Sequence, residues 1–330
     1  MPRSIVTVAV DAMGGDDAPG VVIEGVAQAL SLDPELHVLL VGPEAVVTPH
    51  ASERCTPVVA TEVIDMGEHP ATAVRSKKDS SIVVGCRLVR EDRAEGFFSA
   101  GSTGACMAAA TLVMGRIPGV QRPAIAAVIP ASARPTVLLD VGANADVKPE
   151  MLVQFAIMGR AYAQAVFGVD EPTVGLLNIG EEPTKGSQLA QDAHALLAAY
   201  VPGFAGNVEG RDVPAGTTDV VVTDGFTGNV TLKTLEGLSA MLFSEIKTSL
   251  TTHLHTKLAA AVLKPALRAL KGKLDPDTYG GAPLLGVAGV CIIGHGSSGA
   301  RAVTNGVMVA ARAARNDLTE RITEGIAERR

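Results

Sequence analysis

TTDVVVTDGFTGNVTLKTLEG, residues 217–237, changes its hydrophobic period halfway along. Asp219 to Thr223 alternate and are rich in β-branched side chains, which predicts a buried strand. Asp224-Gly225 ends that strand, Gly228 allows a tight second turn, and from Asn229 the spacing is helical. A strand feeding a helix in this way places Asp224, Thr227 and Asn229 in the crevice beyond a strand's carboxyl end, where open α/β sheets bind ligands. Lys233 lies one helical turn after Asn229 on the same face. A carboxylate, a hydroxyl, an amide and an ammonium so close together suit a small anion. A well-capped strand-to-helix turn without any ligand has the same residues.

The 330-residue chain is long enough for one large α/β unit or two fused lobes. Hydrophobic residues at 47% and 35 glycines predict a sizeable core and many tight βα turns. Aromatic content of 3% without Trp argues against a base-stacking platform, and a net charge of −7 argues against nucleic acid as a partner. Cys55, Cys86, Cys106 and Cys291 are scattered without metal spacing, as expected for reduced core thiols of a cytoplasmic protein. The N-terminus runs straight into the strand pattern SIVTVAVDA, so no leader is expected, and no apolar run approaches the roughly 20 residues of a membrane span.

Other strand ends carry polar, glycine-rich loops. After Ile5–Val10 comes DAMGGDDAPG, in which Gly14 and Gly15 let backbone amides approach a ligand between Asp11 and Asp16; a solvated turn is the plainer reading. The dinucleotide fingerprint GxGxxG is absent. A third strand is expected over 57–66. GFFSA leads to GSTGACMAAATL, where Ser102 and Thr103 open a helix with free amides. PTVLLDVGANAD puts Asn144 and Asp146 at a strand end. In EEPTKGS, Lys185 supplies a point charge and Ser187 starts a helix. VAGVCIIG ends at His295, Ser297 and Ser298, which are expected to reach the same carboxyl edge as the other loops, although a lone His is more often structural.

Residues 234–275 differ in character. Leu238, Leu242, Ile246, Leu250, Leu254, Leu258 and Val262 recur every four residues as one apolar stripe. Residues 233–273 hold seven Lys/Arg against two acids, inside an acidic chain. Such a basic amphipathic segment, with Lys257, Lys264, Arg268 and Lys271, suits docking on an acidic protein or an anionic membrane surface. Packing on its own fold or on a second copy explains the stripe equally well.

Together VAVDAMGGDDAP, RSKKDSS, SAGSTGA, DVGANAD, LLNIGEEPTKGS, VVTDGFTGNVTLK and GHGSS resemble the acyl carrier protein:phosphate acyltransferases of bacterial phospholipid synthesis, the PlsX family. These stretches span nearly the whole chain in order. The resemblance implies a three-layer α/β/α fold with a mostly parallel sheet, related to phosphate acetyltransferases and to the isocitrate and isopropylmalate dehydrogenases. It also implies one catalytic unit over 1–330 with a helical protrusion at 234–275, and a homodimer. The implied reaction moves a fatty acyl group from acyl carrier protein to inorganic phosphate, with no cofactor or metal. Its acyl phosphate would feed a membrane glycerol-3-phosphate acyltransferase, which implies peripheral membrane association.

Such chemistry needs positioning and charge stabilisation more than a strong base, because phosphate is already partly dianionic near neutrality. Lys185 with the Ser187 helix start is expected to hold phosphate, and Asn229 to donate to the thioester carbonyl. Asp224 is expected to orient Lys233 or relay a proton. Asp11, Gly14, Gly15, Ser102, Thr103, Asn144, His295 and Ser297 are expected on the phosphate or substrate side. The rivals are an acyl-cysteine route, a phosphate acetyl- or butyryltransferase using acyl-CoA, a decarboxylating dehydrogenase and a non-catalytic membrane scaffold.

Overall fold

The structure, a computed structural model, describes residues 5–328, with the side chains of Leu254, Leu258, Lys271 and Pro276 outside the described residues. Short apolar runs form β1 (Val6–Asp11), β2 (Leu36–Gly42), β3 (Cys55–Val59), β4 (Gly96–Ser99), β5 (Ala124–Ile129) and β6 (Thr136–Leu139). They continue as β7 (Val174–Leu177), β8 (Phe204–Val208), β9 (Val220–Val222), β10 (Ala282–Leu285) and β11 (Val290–Ile293). All eleven join one sheet in the order β3-β2-β1-β4-β11-β10-β5-β6-β9-β7-β8. Central strands such as β4, β6, β9 and β11 are buried at every residue, which explains their unbroken apolar sequences. The third strand is shorter than expected and stops at Val59.

Helices cover both faces. Gly20–Leu32, Pro149–Phe167 and Ala300–Arg315 bury one face with Val8, Val10, Val137 and Val220. Ser81–Arg90 and Thr103–Ala109 bury the other with Phe97, Ile125, Leu138 and Cys291. The result is an α/β fold with a mostly parallel central sheet and flanking helices.

The strand directions alter the expected site. From β3 to β11 neighbours are parallel, and from β6 to β8 they are parallel again. Between these halves, β11–β10, β10–β5 and β5–β6 are all antiparallel. Three successive reversals leave the two halves running in opposite directions. The expectation that every loop reaches one carboxyl edge is therefore corrected. Asp11, Gly14, Gly15, Ser102, Thr103, His295 and Ser297 follow strands of one half, whereas Asn144, Lys185, Ser187 and Asp224 follow strands of the other.

The helix Gly225–Thr251 closes that gap. It begins at the carboxyl end of β9, and Leu232 and Leu235 pack on the face that holds Ile125, Ile129 and Leu138. Farther along, Ala240 and Phe243 meet Ile129–Ser132 at the carboxyl end of β5. The helix thus runs back across the sheet and carries Asn229 and Lys233 toward the loops of the other half.

The single stripe expected from Leu238 to Val262 is instead divided. Helix Gly225–Thr251 ends, and a capping box made by His253 and Thr256 starts Leu254–Leu274. Leu238, Met241, Leu242, Ile246 and Val262 are exposed along these two helices.

Candidate active site

At the edge formed by β1, β4 and β11, one buried carboxylate organises the loops. Asp11 is 1% exposed. Its Oδ1 accepts the Met13 N–H at 3.0 Å, and its Oδ2 accepts the Ser99 hydroxyl at 2.7 Å. Ser99 Oγ in turn accepts the Gly101 N–H at 3.0 Å. Burial pushes the Asp11 carboxyl above its ordinary value, against the pull of hydrogen bonds from Ser81, Ser99 and Met13. Gly14 leaves no room for a side chain, since a Cβ would lie 2.7 Å from the Gly101 nitrogen. The Asp16 N–H donates to Gly296 O at 2.7 Å and ties the first loop to the one after β11. Asp11 and Gly14, expected among the substrate contacts, therefore form the frame of this edge.

The remaining polar groups of this half rest on that frame. Ser102 caps the helix Thr103–Ala109 by accepting the Ala105 N–H at 3.4 Å. His295 Nδ1 lies 2.8 Å from Ser297 Oγ and accepts the Ser297 N–H at 3.3 Å. That acceptor role leaves the proton of a neutral ring on Nε2, the tautomer inferred from these bonds.

A second buried carboxylate, one the sequence reading passed over, organises the opposite edge. Asp140, 0% exposed, accepts the N–H groups of Ile125 and Ala143 at 3.1 Å each on Oδ1. Its Oδ2 accepts the Asn144 N–H at 2.7 Å and the Asn144 side-chain amide at 2.9 Å. Burial again pushes the carboxyl up, against the pull of those donors. Asn144, whose amide also donates to Pro123 O at 2.9 Å, is thereby a brace. Its carbonyl accepts the Gly225 N–H at 2.7 Å, which fixes the start of the helix Gly225–Thr251. The available signal was an Asp directly after the apolar run TVLL, followed by Gly142.

Asp224 occupies the N-cap of that helix. It accepts the Thr227 N–H at 2.8 Å and the Thr227 hydroxyl at 2.7 Å. Lys233 is paired instead with Glu236, Nζ to Oε2 at 2.7 Å. The expectation that Asp224 orients Lys233 is thus corrected: Asp224 is engaged by Thr227, and the partner of Lys233 is Glu236. Ser187 caps the helix Gln188–Tyr200 through the Ala190 N–H at 3.3 Å. Lys185 is exposed just before it, its carbonyl accepting the Asn178 side-chain amide at 3.0 Å.

Two cavities collect these groups. One of about 570 Å³ is lined by Thr103, Asn229, Lys233, His295 and Ser297, with Glu236 and Asp277 as its acids. Asp277 is held above the ordinary carboxyl range by burial and by the neighbouring Asp275. A smaller cavity of about 260 Å³ joins Ser187 and Asp224 to Asn178, Gly186 and Thr227. Lys185, Asp11, Gly14, Gly15, Ser102 and Asn144 line neither. The larger cavity offers an ammonium, an amide, hydroxyls and an imidazole, a set able to hold an anion and to donate to a developing oxyanion. All four cysteines are buried and line neither cavity. Burial pushes the Cys106 thiol up to about 12.

The chain is similar to known proteins over nearly its whole length. Residues 6–321 match the family described as "Fatty acid synthesis protein". Over 321 residues the chain is 49% identical to the phosphate acyltransferase of Desulfitobacterium hafniense strain Y51, covering 96% of each chain. It is 49% identical over 328 residues to that of Heliobacterium modesticaldum, covering 97% of each. Among solved structures, a phosphotransacetylase from Streptococcus pyogenes shares the fold with a TM-score of 0.60 at 16% identity, over 94% of this chain and 95% of that one. A branched-chain phosphotransacylase from Enterococcus faecalis does so at 0.58 and 13%, over 94% and 99%. The chain therefore belongs to the phosphate acyltransferase family, and it is an acyltransferase.

Proposed function

We propose that this acyltransferase moves a fatty acyl group from acyl carrier protein to inorganic phosphate and releases acyl phosphate for phospholipid synthesis. A phosphate oxygen attacks the thioester carbonyl carbon, the carbon–sulfur bond breaks, and the thiolate leaves with the electron pair. The observation that carries this reading is the cavity of about 570 Å³, in which Asn229, Lys233 and His295 converge without any cysteine nucleophile. Asn229 donates to the carbonyl oxygen as it gains charge. Lys233, the Nε2–H of His295, Thr103 and Ser297 hold the phosphate, which competes with Glu236 for the ammonium. The Ser187 helix start at the neighbouring cavity, with the exposed Lys185 two residues before it, is a second anion-binding position.

Lys257, Lys264 and Arg268 are exposed on the helix Leu254–Leu274. They form the docking surface for the acidic carrier protein and for an anionic membrane surface, where a glycerol-3-phosphate acyltransferase would take the product; the side chain of Lys271, expected in the same surface, lies outside the described residues. The membrane contact in this reading is peripheral; among the described residues no helix is long and apolar enough to cross a membrane. The exposed leucines of the same two helices form the contact between two copies of a homodimer.

The test is incubation of the chain with a long-chain acyl carrier protein thioester, with and without inorganic phosphate. The expected result is phosphate-dependent release of acyl phosphate and free carrier thiol in equal amounts. Release that proceeds only from acyl-CoA, or that ignores phosphate, overturns the reading.

A further inference from the structure

We infer that the apolar cleft along the helix Gly225–Thr251, beyond Lys233, binds the hydrocarbon tail of the acyl donor, and that Ala240 and Phe243 set the length of tail it accepts. The inference rests on the functional reading above and assigns a place to the hydrocarbon part of its substrate.

The cleft has a volume of about 580 Å³. It shares the lining residues Val128, Leu232 and Glu236 with the polar cavity, so the two adjoin. The helix shows how they are joined. Asn229, Leu232, Lys233 and Glu236 line the polar part, and Leu235, Ser239, Ala240 and Phe243 carry the same face onward into the apolar part. Steps of three and four residues keep all of them on one side of the helix. Lys233 and Phe243 are ten residues apart in sequence, or about 15 Å along the axis at 1.5 Å per residue.

The walls suit a hydrocarbon. Ile129 and Pro130 close one side from the end of β5, and Leu270 and Leu274 close the other from the second helix. Phe243 is half-buried although Leu242 and Ser244 beside it are exposed, so its ring is turned into the cleft. A phosphate or an amide-bearing carrier arm would lose its hydrogen bonds against such walls, whereas a methylene chain gains by leaving water. With the thioester carbonyl at Asn229, a tail directed along the helix passes Leu232 and Leu235 and ends against Phe243. Glu236, Lys273 and Asp275 are the charged groups of the lining.

Ala240→Phe and Phe243→Ala test this directly. Turnover is measured with palmitoyl and butyryl thioesters, on carrier protein and on CoA, alongside displacement of a fluorescent fatty acid by palmitate. Ala240→Phe is expected to lower kcat/KM for the palmitoyl donor and to weaken palmitate binding, each by about tenfold or more, from the loss of several buried methylenes. The butyryl donor should change by less than about threefold, because its short tail ends before the block. Phe243→Ala should shift the preference toward longer tails. An unchanged chain-length profile with unchanged palmitate binding overturns the inference, as does an equal loss for both donors. Dissociation of an oligomer by Ala240→Phe without a change in profile also overturns it, and assigns the cleft to subunit contact. If the native chain acylates phosphate from no donor, the functional reading fails, while the palmitate-binding arm still decides the cleft.

Discussion

A Cβ added to Gly228 would lie 1.9 Å from the carbonyl oxygen of Asp140, so the helix that carries Asn229 begins in backbone contact with the end of β6. Gly225 repeats the relationship, with a Cβ falling 2.9 Å from Asp140 Oδ2 and 2.7 Å from Asn144 O. The Asp140 and Asn144 carbonyls are backbone, and Asp140 Oδ2 is held by the Asn144 donors, so the helix itself must move to admit a methyl group. Gly228→Ala is expected to cost roughly 1–3 kcal/mol by overpacking. A shift of about 1 Å at Asn229 would lower turnover by about 10². Gly237→Ala on the same helix meets nothing within 4 Å and should stabilise by about 0.5–1 kcal/mol without loss of turnover. Urea midpoints and turnover for the pair check this; equal behaviour of the two variants contradicts it.

Asn229 and Lys233 contribute to the proposed reaction without contributing much to the fold. Lys233 and Glu236 form an exposed pair, 58% and 43% accessible, so Lys233→Ala should change stability by no more than about 1 kcal/mol. Its effect should fall on the KM for phosphate, with Glu236→Gln lowering that KM by freeing the ammonium. Asn229→Ala should reduce kcat by about 10²–10³, the usual result of removing one oxyanion donor. Acyl-phosphate release against phosphate concentration separates the three. A variant of Asn229 that altered only KM would remove it from the oxyanion role.

Much of this arrangement was legible locally and little of it globally. The Val220–Val222 strand, its Asp224 cap and the helix after it follow from β-branching, a capping residue and helical spacing, all encoded within ten residues. The opposed directions of the two sheet halves depend on β10, a four-residue strand of sequence APLL after two glycines, which has no periodicity to distinguish it from a loop. It pairs with β11 as a close hairpin, but its pairing with β5 is non-local, and no short window of sequence contains that reversal. Asp11 and Asn144 looked like ligand contacts because polar residues at strand ends usually are. The structure engages Asp11 as the acceptor for Ser99 and the Met13 N–H, and the Asn144 amide as a donor to Asp140 and Pro123. The Glu236 partner of Lys233 was hidden for the opposite reason: an i,i+3 pair on a helix looks like any solvated face.

The four cysteines bear on the rival covalent route. Burial raises the thiol of each of them, to about 12 for Cys106. Thiols at neutral pH in such surroundings hold almost no thiolate, the form that attacks either a thioester or an alkylating reagent. Iodoacetamide at neutral pH should therefore leave the folded chain unmodified by mass and fully active, whereas the same treatment in urea should label all four cysteines. Inactivation of the folded chain with one equivalent of label would restore a cysteine nucleophile.

The pH dependence of stability should carry a signature of Asp33. Its oxygens accept two hydrogen bonds from Arg315, at 2.5 and 3.0 Å, which tie the end of the helix Gly20–Leu32 to the helix Ala300–Arg315. Burial alone would raise this carboxyl. The Arg315 hydrogen bonds, the Glu35 N–H and the charges of Arg315 and Arg54 outweigh it and hold the group below its ordinary value of 3.8. The folded chain then binds this proton less readily than the unfolded one, so the stabilisation is complete above the unfolded value and disappears as pH falls through the folded one. Asp11 and Asp140 act in the opposite sense, since their raised carboxyls cost stability as pH climbs above the ordinary range. Comparing the native chain with Asp33→Asn at each pH cancels those contributions. The variant should be less stable by roughly 1–3 kcal/mol at pH 7, the usual size for a hydrogen-bonded charged group. The gap should begin to narrow near pH 4, where Asp33 of the unfolded chain protonates, and close as pH falls through the lower folded value. A gap that stayed constant down to acid would mean that Asn reproduces only the shape of the contact and that the charge of Asp33 contributes nothing to joining the two helices.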